Sequence, residues 1–130
     1  MLIRHFYVSA IAEGVTDLDV QVILGVAQVN NRRLDLTGML AQSDGHFAQV
    51  LEGRSDAVSR LMESIRRDAR HRDLRTLLLE PIQTRQFERW AMGLVRRDDM
   101  ARAMRALHED GCADEAQARR VIAMLMTNAP

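Results

Sequence analysis

Two short apolar runs, residues 36–42 (LTGMLAQ) and 46–52 (HFAQVLE), stand on either side of Ser43-Asp44-Gly45. An Asp-Gly step between two such runs is a strong hairpin signal, because glycine and aspartate tolerate the turn that matches strand twist. The segments around this hairpin restrict the fold further. Residues 2–9 (LIRHFYVS) read as a strand rich in β-formers. After Glu13-Gly14, Thr16 or Asp17 can cap a helix, with Asp19 three residues after Thr16 in a weak capping box. Val20, Ile23, Leu24 and Ala27 follow at the i, i+3, i+4, i+7 spacing of a buried helical face. Asn30 and Asn31 are expected to end that helix.

Beyond the hairpin, Ser55 or Asp56 can cap a second helix with the stripe Val58, Leu61, Met62 and Ile65. Residues 68–73 are a charged connection. Residues 74–80 (LRTLLLE) read as a buried strand closed by Pro81, and 90–95 (WAMGLV) as a short last strand. The order is βαββαβ plus one strand, the pattern of an α+β ferredoxin-like sandwich with an extra fifth strand. Two C-terminal helices should follow. Asp98 or Asp99 can cap the first, with Met100, Met104 and Leu107 inward, and Gly111 breaks it. The second, about 114–126, carries Ala118, Val121, Ile122 and Leu125. The division expected is one domain over 1–97 and a helical extension over 98–130.

Composition removes several classes of function. Among 130 residues, 18 basic side chains, every one Arg, balance 18 acidic ones. A nucleic-acid module usually carries a basic excess, so none is expected here. A single cysteine, Cys112, excludes an intrachain disulfide and a cysteine-rich zinc site. The four histidines, His5, His46, His71 and His108, lack ligand spacing, so no metal is expected. No stretch reaches the roughly 18 apolar residues of a membrane span, and no signal peptide is visible. The expected compartment is the cytosol, away from membranes. No phosphate-binding glycine loop and no nucleophile elbow occurs, so the chain is not expected to be an enzyme.

Polar residues inside apolar runs carry more information. Gln49 lies within Phe47-Ala48-Gln49-Val50-Leu51, and Tyr7 between Phe6 and Val8. A buried amide needs partners for donor and acceptor alike, and leaving one unpaired costs about 1–3 kcal/mol. Alternation does not settle whether Gln49 faces solvent or core, since both neighbours are apolar. Taken singly, each residue has an ordinary structural explanation: Tyr7 in the core, Gln49 solvated, Asn30 and Asn31 a helix stop, Trp90 and Met92 packing. Amides and one phenol without a metal or nucleophile would suit a flat heteroaromatic ring, and they fit binding or sensing better than catalysis.

Taken together, the motifs resemble a known family. Asn30-Asn31, Thr37-Gly38 and Phe47-Ala48-Gln49-Val50-Leu51-Glu52-Gly53 resemble the core of a BLUF domain, a blue-light sensor that uses FAD. Phe6-Tyr7-Val8-Ser9, Asp68-Ala69-Arg70-His71 and Trp90-Ala91-Met92-Gly93 agree in order and spacing, over residues 2–94. The resemblance implies a ferredoxin-like fold with the flavin ring between its two helices. It implies that Tyr7 is electron and proton donor to the photoexcited flavin. Gln49 would lie between Tyr7 and the ring, and Asn31 would bond the ring's O4 and N3 side with Asn30 nearby. Asp68 and Arg70 would lie near its pyrimidine end, and Trp90 and Met92 on the closing strand as signal relay. Output would pass to a separate protein partner or through a homo-oligomer. The alternatives are a flavin-less interaction module of the same fold and, third, a small flavin redox enzyme. The chain departs from the family at Ala27, where many members have Ser, at Ser64, where a basic residue is common, and at Ala41-Gln42 and Ala48. These departures bear on FAD affinity and recovery rate and leave Tyr7, Gln49 and Asn31 in place.

Overall fold

The computed structural model describes residues 1–43, 45–88, 91–96, 100–109 and 115–127. The elements are β1 (Leu2–Ile11), α1 (Asp17–Arg33), β2 (Thr37–Ser43), β3 (His46–Arg54), α2 (Ser55–Arg67), β4 (His71–Ile82), β5 (Gly93–Arg96), α3 (Ala101–Glu109) and α4 (Glu115–Thr127). They build one sheet in the order β4-β1-β3-β2-β5, antiparallel except for the β2–β5 pair. The first four strands and α1 and α2 form the ferredoxin-like arrangement expected, with the fifth strand added beyond β2.

Both faces of the sheet are covered, which explains why its strands do not alternate cleanly between apolar and polar. One core contains Ile3, Tyr7, Leu40, Phe47 and Leu51 against Val20 of α1 and Val58 and Met62 of α2. The other contains Phe6, Val8, Met39, Ala48 and Val50 against Met104 of α3 and Val121 and Leu125 of α4. Met100 and Met104 are fully buried in this second core. They face inward, as expected, and cover the back of the sheet.

Helix α1 begins as expected. Thr16 Oγ1 accepts from Asp19 N at 3.2 Å, and the Asp19 carboxylate accepts from Thr16 N at 2.9 Å. Its end differs from expectation. The helix runs past Asn30 and Asn31 to Arg33, and Asp35 takes the left-handed conformation at φ 53°. The two asparagines stay helical because their side chains point into the fold, where Asn31 has a tertiary partner. Helix α2 has Arg54 at its cap position with no side-chain cap bond, so neither Ser55 nor Asp56 caps it. Asp56 lies inside the first turn, where a carboxylate favours the positive helix end.

Strand β4 is longer than expected at both ends and includes Pro81 rather than stopping before it. It is an edge strand, where a missing N–H is tolerated and charged residues such as Arg72 and Arg75 are common. Strand β5 begins at Gly93, three residues later than expected. The carbonyl oxygens of Ala91 and Met92 accept from the side chains of Asn31 and Gln28, not from a neighbouring strand. The caps expected at Asp98 and Asp99, the break at Gly111 and Cys112 lie outside the described residues, as does Trp90.

Gly38 of β2 is required by close approach. A Cβ there would lie 1.9 Å from the Val50 carbonyl oxygen of the central strand. Gly38→Ala is expected to destabilise the fold by about 1–3 kcal/mol, measured as a lower midpoint of urea unfolding with an unchanged slope.

Candidate functional site

Antiparallel pairing of β1 and β3 sets Tyr7 directly opposite Gln49. Residues opposite one another share a face, so both side chains point toward α1 and α2. Tyr7 is 3% exposed and Gln49 6%. The Tyr7 hydroxyl donates to Gln49 Oε1. Gln49 Nε2 donates to Met92 Sδ at 3.5 Å. The amide orientation follows from its neighbours, because a thioether accepts and cannot donate. Met92 is therefore an interior neighbour of Gln49 and lies in the bend just ahead of β5 rather than on the strand itself.

Burial pushes the Tyr7 phenol well above its ordinary range, and the nearby Asp68 carboxylate adds to the effect. Tyr7 therefore keeps its proton at neutral pH and serves as a hydrogen-bond donor.

Tyr7 and Gln49 form one wall of a cleft of about 230 Å³ between α1 and α2. Asn30, Asn31 and Ala27 of α1 line it, with Ser64 and Ile65 of α2, and Asp68, Arg70 and His71 close one end. Six residues expected at a ligand site, Tyr7, Asn30, Asn31, Gln49, Asp68 and Arg70, thus meet at a single cleft. Asn31 is fully buried and donates through Nδ2 to the Ala91 carbonyl at 2.6 Å. Turning its amide over would set two carbonyl oxygens against each other. The Oδ1 atom is consequently the free acceptor, and among the described residues it has no partner. A buried amide oxygen left unpaired is costly and marks a place for a donor. Asp68 and Arg70 hold each other in a forked pair, with Arg70 Nε and Nη2 reaching the carboxylate at 2.9 and 2.6 Å. The Arg70 guanidinium keeps the Asp68 carboxyl below its usual range.

His71 and Ser9 are site residues that the reading of single residues overlooked. His71 Nε2 lies 2.6 Å from the Ile65 carbonyl and Nδ1 2.8 Å from Ser9 Oγ. The carbonyl can only accept, so Nε2 carries a proton and His71 ties the end of α2 to β1 beside Tyr7. Its place in the Asp68-Ala69-Arg70-His71 motif was the signal available. Gln28, which donates to the Met92 carbonyl at 3.1 Å, carried no such signal.

His5, two residues before Tyr7 on the same strand face, is 4% exposed and contacts Thr76 Oγ1 at 2.8 Å. Burial, with Arg66 nearby, lowers its pKa from 6.5 to about 4. The unfolded chain therefore binds the proton more readily than the folded one between these values. Stability present above pH 6.5 is lost as pH falls toward 4. The expected loss from this group is about 2 kcal/mol after allowance for partial solvation. Thermal unfolding across this window should show a shallower slope in His5→Gln than in the parent chain.

The family model "Sensors of blue-light using FAD" matches residues 2–93. The chain belongs to the BLUF family. The BLUF region is 38% identical over 81 residues to photoactivated adenylate cyclase subunit beta of Euglena longa, covering 62% of this chain and 9% of that protein. It is 29% identical over 109 residues to the blue light- and temperature-regulated antirepressor BluF of Escherichia coli K12, covering 80% of this chain and 27% of that protein. The chain thus spans a minor part of the length of these relatives. Among solved structures it is similar to BlsA in its photo-activated state, with a TM-score of 0.84, 28% identity and coverage of 97% and 95% of the two chains. BlrB in its dark state matches with a TM-score of 0.83, 27% identity and coverage of 97% and 96%. BLUF domains are sensor modules rather than enzymes. The similarity to the cyclase is confined to a small share of that protein's length. Among the described residues, no helix is long and apolar enough to cross a membrane, and no cluster of three or more His, Cys, Asp or Glu could hold a metal.

Proposed function

We propose that this BLUF chain is a blue-light photoreceptor that binds FAD non-covalently in the cleft between α1 and α2. It signals by rearranging the hydrogen bonds of Tyr7 and Gln49. The observation that carries this reading is that Tyr7 and Gln49, bonded to each other and through Gln49 to Met92, line the same cleft as Asn31, whose Oδ1 has no partner among the described residues.

The cleft residues fit a flavin. Asn31 Oδ1 is placed to accept from the imide N–H of a pyrimidine ring, and Asn30 lies one residue away on the same wall. The Asp68–Arg70 pair would stand at the ring's pyrimidine end, and Ile65 and Leu61 offer apolar surface. Bound flavin supplies absorption of blue light and an excited state that readily accepts one electron.

The protein's part is to hold and move a proton. Tyr7 holds it on its hydroxyl, directed at Gln49 Oε1, and can release an electron with it. The proton passes along the existing bond to Oε1. Gln49 then rotates or tautomerises, reversing its donor and acceptor ends without backbone movement. Nε2 leaves Met92 Sδ, and the segment ahead of β5 loses one of its anchors. Return of both the electron and the proton to Tyr7 restores the original pattern, so no net reaction occurs. The network acts as a two-state bias. Residues 1–97 are the sensing part and 98–130 carry output, to a separate protein partner or through self-association.

The absorption spectrum of the purified chain, in darkness and under blue light, tests this reading. The expected result is a flavin spectrum that shifts slightly to the red and relaxes in the dark. A flavin spectrum that bleaches instead would indicate redox chemistry. No flavin after reconstitution with FAD would leave a flavin-less interaction module and overturn the proposal.

A further inference from the structure

On the face of the sheet opposite the cleft, Glu52 of β3 is fully buried. Its Oε2 accepts from Arg4 Nε at 2.9 Å and Nη2 at 2.8 Å. Its Oε1 accepts from the backbone N–H groups of Gln86 and Phe87 at 2.8 and 2.7 Å. A carboxylate engaged four times holds the stretch that leads, a few residues on, to Ala91 and Met92. Sheet register sets the rest of the chain of contacts. Arg4 lies directly opposite Glu52 in one ladder and opposite Glu80 in the other. Arg4 Nη1 donates to Glu80 Oε1 at 3.2 Å. Arg119 of α4 grips the same carboxylate at 3.1 and 2.6 Å, and reaches Glu115 at 2.7 Å.

We propose that Arg4, Glu52, Glu80 and Arg119 form a charge relay that couples the segment ahead of β5 to α4, with Arg119 as its positioning residue on the output side. The inference deepens the photoreceptor reading and rests on it for its light-driven part. Every link is an ion pair or a charge-assisted hydrogen bond, and three of the four side chains are held in register by the paired strands β3, β1 and β4. A shift of residues 85–92 changes how Glu52 is engaged, and Arg4 passes the change to Glu80 and so to Arg119. The competing route is apolar, through fully buried Phe87, which packs in the core shared with α3 and α4.

Amide hydrogen exchange over Glu115–Thr127 separates the two routes. In the parent chain, blue light should change exchange over residues 85–96 and over α4. Arg119→Gln should keep the spectral red shift and the change at 85–96, and reduce the α4 response roughly fivefold or more. Arg119→Lys, which keeps the charge opposite Glu80, should restore part of it. A second arm needs no light. Met92→Ala in the dark should alter α4 exchange in the parent background and not with Arg119→Gln. An α4 response that persists undiminished with Arg119→Gln, in either arm, would overturn the relay in favour of the apolar route. An α4 indifferent to both illumination and Met92→Ala would overturn it too. Should the red shift itself be absent, the photoreceptor reading fails and the dark arm alone decides the relay.

Discussion

Tyr7→Phe is expected to abolish the light-induced red shift while flavin remains bound. The substitution removes a single oxygen from a side chain that is 3% exposed, so the shape of the cleft wall changes little. It removes the hydroxyl that donates to Gln49 Oε1. The Gln49 carbonyl is then left buried with one partner fewer, at a cost of about 1–3 kcal/mol. The cleft wall also loses the group that can give up an electron and a proton together. Met92, the other hydrogen-bond partner of the Gln49 side chain among the described residues, has no proton to give. Difference spectra before and after blue light measure the effect. A red shift of undiminished amplitude in Tyr7→Phe would show that another residue drives the rearrangement. A chain that no longer retains flavin would assign Tyr7 to binding instead.

Glu52→Ala should destabilise the fold more than Gly38→Ala. The fully buried carboxylate balances Arg4, whose side chain is 12% exposed, and satisfies two backbone N–H groups. Removing it leaves Arg4 with Glu80 alone and strands both N–H groups next to a cavity. Breaking one side of a buried pair costs about 3–5 kcal/mol. For a chain of 130 residues this corresponds to a fall in Tm of more than about 10 °C. Thermal unfolding of the purified variant checks it. A loss below about 1 kcal/mol would mean that water or a shifted Arg4 replaces the missing contacts.

The two expectations draw on different kinds of information. Tyr7 and Gln49 stood out in the sequence because a phenol and an amide interrupt apolar runs, and because their motifs fall in register with a known family. Glu52 belonged to one of those motifs, yet nothing in the sequence indicated its role. Its partners are 48 residues back at Arg4 and 34 and 35 residues on at Gln86 and Phe87. Such contacts depend on strand order, which local pattern does not carry. Strand order likewise brings Gln28 to the Met92 carbonyl oxygen, 64 residues on, and His71 to the Ser9 hydroxyl, 62 residues back.

Errors in element boundaries also had tertiary causes. Asn30 and Asn31 favour a helix end on propensity alone, but the bond from Asn31 to Ala91 rewards their staying helical. Pro81 reads as a strand stop unless the strand is known to lie at the sheet edge.

The order of elements, the three-residue and four-residue stripes and the turn chemistry determined by themselves an α+β sandwich with a fifth strand and two trailing helices. They are consequences of spacing and backbone preference, which are local. Which face Gln49 occupies, that Met92 is its neighbour, that Asn31 keeps an unpartnered oxygen and that Glu52 joins β1 to the segment ahead of β5 were decided only by the tertiary structure. Helices covering both faces of the sheet erase the polar–apolar alternation, and only the pairing register of β1 with β3 sets Tyr7 and Gln49 on one face and Arg4 and Glu52 on the other.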